Sequence, residues 1–79
     1  MMGSMPATPH EVLEGSFRIA WDYLQATGEL GDRDDAARFL ANTIEDMMRR
    51  GEFRKLLLSN RAIDAYRHSH ARRSLALVS

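Results

Sequence analysis

The sequence predicts an all-α fold, a small bundle of three to four short helices. Three observations predict it: apolar residues recur at helical spacing, strong start signals precede those runs, and glycines follow them. The helices are placed approximately at residues 9–27, 33–50, 52–58 and 60–71.

The first helix opens at Thr8-Pro9-His10-Glu11. Thr8 suits the cap, Pro9 the first helical position, and Glu11 completes a capping box. At 100° per residue Val12, Leu13, Ser16, Phe17, Ala20, Trp21, Tyr23 and Leu24 fill one broad arc, opposite Glu14, Arg18, Asp22 and Gln25. An arc that wide serves two neighbours, which makes this helix the central element. Gly28 follows as a left-handed cap, and Gly28 to Gly31 form a short connection.

Asp32, or Asp34, caps the second helix, with Asp34 and Asp35 at its positive end and Arg49 and Arg50 at its negative end. Ala36, Ala37, Leu40, Ala41, Thr43, Ile44, Met47 and Met48 share one face, Phe39 lies at the edge of the polar side, and Gly51 closes the helix. Helices one and two then make an antiparallel hairpin, with the basic third segment packed across both.

Beyond Gly51, one straight helix would scatter Phe53, Leu56, Leu57, Leu58, Ala62, Ile63, Ala65 and Tyr66 around its whole circumference. A break at Ser59-Asn60 restores the phase, because both residues are good caps and Ala62, Ile63, Ala65, Tyr66 and Ser69 then gather on one face. Two helices are therefore expected, at 52–58 and 60–71, with an unbroken helix as the rival. The organisation that follows is a single helical domain at 8–71 and a flexible basic and apolar tail at 72–79. Residues 1–7 are expected to be disordered, with Met1 to Met5 read as partly an expression leftover.

Seventy-nine residues bury only about 60% of the surface the unfolded chain exposes. Such a thin core usually receives help, and with no cysteine present that help is not a disulfide or a thiolate metal site. Oligomerisation is the natural alternative. No apolar run approaches the roughly 20 residues needed to span a bilayer, and the start lacks a basic segment followed by an apolar one. A cytoplasmic protein with no membrane association is expected, and ten arginines against the single Lys55 give it the composition of a GC-rich bacterial genome.

The net charge is zero, but residues 1–48 carry nine acidic and three basic side chains and residues 49–79 carry two and eight. The simplest account is attraction between the two halves of one chain; head-to-tail pairing of two chains and a basic end kept for an acidic partner are the functional ones.

Motifs for catalysis are missing. Thiolate chemistry is excluded, the serines lack a glycine-flanked elbow with a base beside it, and the dispersed glycines do not form a phosphate loop. His68 and His70 sit two apart, which on a helix points them to nearly opposite sides, and His10 is expected to be solvated. Asp32, Asp34 and Asp35 lack the ligand order of a calcium loop and are explained by capping. Neither catalytic residues nor a metal or cofactor site is assigned, and an enzyme is not expected. Glu14 with Arg18, Asp34 with Arg38, and Glu45 and Asp46 with Arg49 and Arg50 have the spacing of exposed-face ion pairs.

The expected function is a small non-enzymatic protein-interaction module, self-associating or bound to another protein, with Trp21, Phe39, Met48 and Phe53 as contact candidates. The alternative is a nucleic-acid-binding accessory protein. It would use Arg54, Lys55, Arg61, Arg67, Arg72 and Arg73, with the turn at Gly51 giving a helix-turn-helix outline. A neutral chain gains little long-range attraction to phosphate, so this reading ranks second.

Overall fold

Thr8 caps the first helix as its sequence predicts. Its hydroxyl accepts the Glu11 amide at 3.2 Å while the Glu11 carboxylate accepts the Thr8 amide at 3.1 Å, and Pro9 takes the first helical position. The computed structural model describes the backbone of residues 8–78 and the side chains of residues 8–71. Three helices make up the fold: α1 (Pro9–Ala26), α2 (Arg33–Arg49) and α3 (Lys55–Val78). The expectation for residues 1–7 lies outside the described residues.

Both connections are made by the same device. Gly28 and Gly51 adopt φ of 73° and 99°, a region that costs any residue with a Cβ. Each lets the chain double back so that the next residue's amide reaches a helix carbonyl: Glu29 to Leu24 at 2.8 Å, and Glu52 to Met47 at 3.1 Å. Each glycine also donates one bond, to Gln25 and Met48 respectively. These bonds satisfy the carbonyls that a helix end leaves open. Asp32 rather than Asp34 then caps α2, accepting the Asp35 amide at 3.0 Å.

The helices run up, down and up. The start of α1 (Pro9, His10, Leu13) meets the end of α2 (Glu45, Met48, Arg49), so these two are antiparallel. Asp35 and Phe39 near the start of α2 meet Tyr66 and His70, while Met47 and Arg50 near its end meet Arg61, so α2 and α3 are antiparallel as well. Consequently α1 and α3 are parallel: Gly15 abuts the stem of Lys55, and Tyr23 further along receives a hydrogen bond from Arg67. Each helix packs on both others, as the hairpin-plus-crossing segment requires.

The core follows the periodicity. Val12, Ser16, Ala20 and Leu24 are buried along α1, Ala36, Leu40 and Ile44 along α2, and Leu58, Ser59, Ala62, Ile63 and Tyr66 along α3. Leu24, Leu40, Ile44 and Leu58 are completely enclosed, and burial of each such side chain is worth about 1.5–3 kcal/mol. Ser16 and Ser59 are enclosed too. Their hydroxyls bond backward to Val12 at 2.7 Å and to Leu56 at 2.9 Å, so neither leaves an unmet polar group in the core.

The third segment departs from expectation. It is one helix, not a pair at 52–58 and 60–71. Ser59 caps nothing, since its hydroxyl is turned back onto the preceding turn and its side chain is sealed in the core. The scatter of apolar residues has another cause: Leu56 is 69% exposed and Phe53 is 50% exposed, so these two never needed a place on the buried face. The buried apolar positions form one stripe through Leu58, Ala62 and Tyr66, at four-residue spacing, with Ile63 beside it. The helix also continues through Val78, across much of the segment 72–79 read as a flexible tail; nothing in that stretch breaks a helix, neither proline nor glycine. Among the described residues no helix is long and apolar enough to cross a membrane.

Candidate functional site

Two groupings of side chains distinguish the surface. The first is a polar clasp that ties the α1–α2 connection to α3. Arg67 donates to both oxygens of Glu29, at 2.6 and 2.8 Å, and to the Tyr23 hydroxyl at 2.9 Å, with its guanidinium 5.2 Å from the centre of the Tyr23 ring. Thr27 adds a hydroxyl bond to Glu29 at 2.6 Å. The Arg67 and Thr27 hydrogen bonds hold the Glu29 carboxyl down at about 2, and the same carboxylate raises the Arg67 pKa. At the neighbouring residues, the Gly31 amide donates to the Tyr66 hydroxyl at 2.9 Å, and His70 stacks on the Tyr66 ring at 5.6 Å.

An echo of this arrangement stands at the second connection. Glu52, placed after Gly51 as Glu29 is after Gly28, accepts from the Arg54 guanidinium at 2.9 and 3.1 Å and from its amide at 3.0 Å. Those bonds lower the Glu52 pKa to about 2. At both turns an arginine of the basic half is therefore occupied by a neighbouring carboxylate.

The second grouping is apolar. Among the described residues the exposed large hydrophobic side chains are Ile19 (38%), Tyr23 (43%), Phe53 (50%) and Leu56 (69%). Ile19 is four residues from Gly15 and four from Tyr23, both of which touch α3, so it lies on the same flank of α1. Leu56 precedes Arg67 by three turns and shares its side of α3. Ile19, Tyr23 and Leu56 thus border the seam between α1 and α3, and α2 contributes no large exposed hydrophobic side chain.

Of the contact candidates read from the sequence, Phe53 is exposed, in the turn before α3. Trp21 is half-buried and stacks on Phe17 at 5.6 Å with 16° between rings. Phe39 packs edge-on against Tyr66 at 5.8 Å, and Met48 lies partly buried against the core. These three point away from the α1–α3 seam or into the core between helices. Leu56, Ile19 and Tyr23 are not contact candidates by sequence pattern, although the failure of Leu56 to fit the helical phase is the signal that it lies outside.

The basic candidates are dispersed. Lys55 lies along Gly15, Arg61 borders Met47 and Glu52 on the α2 side, and Arg54 and Arg67 are bonded to carboxylates. Arg72 and Arg73 have side chains outside the described set. Of the ion pairs expected from helical spacing, Asp46–Arg50 forms at 2.9 Å; Glu14 instead lies 3.6 Å from His10. The one bridge between separate elements, among the described residues, is Glu29–Arg67, which links the acidic half to the basic half.

A shallow groove between α2 and α3 is lined by Asp35, Phe39, Asn42, Tyr66, Ser69 and His70, among others. Among the described residues no group of three or more His, Asp or Glu side chains is placed to share an ion. No protein-family model matches the chain, and the searches of curated proteins and of solved structures return no match.

Proposed function

We propose that this chain is a small non-enzymatic module that acts through protein–protein contact. The observation that carries the reading is the gathering of Ile19, Tyr23 and Leu56 beside one seam of the bundle, with Phe53 exposed in the turn that leads into α3. Isolated exposed hydrophobics are ordinary, but a set confined to one side is the mark of a contact surface. Leu56 supports it most, being 69% exposed while Leu58, two residues on, is fully enclosed.

The nucleic-acid reading is the weaker one. Phosphate binding draws on uncommitted cations gathered on one face, whereas Arg54 and Arg67 are engaged by Glu52 and Glu29 and Arg61 sits around the helix toward α2.

A photo-crosslinking amino acid placed at position 56 in the expressing cell tests the proposal, with position 42 on the exposed side of α2 as control. Covalent protein adducts from position 56 and few from position 42 are expected. No protein adduct at 56, together with salt-sensitive binding of the purified chain to DNA or RNA, would replace this reading with the nucleic-acid one.

A further inference from the structure

We draw no further inference here: the strongest candidate, the patch of exposed apolar side chains Ile19, Tyr23 and Leu56 beside the α1–α3 seam, carries none beyond the protein-contact reading, because nothing in the structure shows what covers it.

Discussion

The Tyr66 hydroxyl accepts the backbone amide of Gly31 at 2.9 Å, joining a turn to a helix across 35 residues of chain. The ring beneath that hydroxyl is 7% exposed, wedged against Phe39 on one side and His70 on another. A buried phenol of this kind needs a polar partner, and the turn amide, free of any helix, supplies it. Tyr66→Phe keeps the ring and deletes the acceptor. The expected cost is about 1 kcal/mol in urea unfolding, together with faster hydrogen exchange at Gly31; an unchanged exchange rate there would mean that the bond contributes nothing in solution.

Asn60 distinguishes the continuous helix from the broken one by the sign of a single measurement. In α3 it is an exposed mid-helix residue, where alanine is the better helix former, so Asn60→Ala is expected to stabilise by up to about 0.7 kcal/mol. Were Asn60 the cap of a separate helix, the same change would destabilise by roughly 0.5–2 kcal/mol.

That contrast also marks where sequence reading succeeds and where it stops. Helix starts at Thr8 and Asp32 and helix exits at Gly28 and Gly51 are legible because capping is local chemistry, decided within three or four residues. Ser59 and Asn60 carry the same local signal and do not act on it, because the groove between α1 and α2 accepts a straight helix with Ser59 inside it. The exposed apolar positions are half visible in the sequence: Phe53 stands out by type, but Leu56 looks like a core residue out of phase. Trp21 and Phe39 look exposed on a helical wheel of one element, yet each finds an aromatic neighbour, Phe17 and Tyr66. The Glu29–Arg67 clasp joins residues 38 apart, and no spacing rule reaches that far.

Acid should weaken the fold in part through Glu29. Its carboxyl is held at about 2 by Arg67 and Thr27 against an ordinary value of 4.5. A depressed carboxyl contributes its full stabilisation above the unfolded value and loses it as pH falls toward the folded one. For Glu29 this window runs from just above pH 4.5 down to about pH 2. Glu29→Gln is expected to lower Tm at pH 6 and to flatten its decline across that window, so that the two proteins converge near pH 2. Parallel curves for the two proteins would assign the acid sensitivity elsewhere.

Gly15 sits inside α1 with the stem of Lys55 across it, 3.1 Å from where a Cβ would stand. The obstructing atoms belong to an exposed, flexible side chain that can swing aside. Gly15→Ala is therefore expected to raise stability, by no more than about 1 kcal/mol from helix propensity. A loss on thermal melting would show that the Lys55 stem is held in place.

Leu40 is fully enclosed at the centre of α2. Leu40→Ala is expected to cost about 2–5 kcal/mol, which for a domain of this size removes much of its total stability. Urea denaturation with an unchanged slope and a much lower midpoint is the expected record.

The two tight glycine turns have a kinetic consequence. Because each helix is followed at once by an antiparallel neighbour, most contacts join parts of the chain that are never far apart, and the search for them is short. Bundles wired in this way fold in microseconds to milliseconds. The parallel pairing of α1 with α3 is the exception, since it closes only after the chain has turned twice. Either hairpin, α1 with α2 or α2 with α3, is joined by the same tight turn, and the seam between α1 and α3 closes only when both turns are in place.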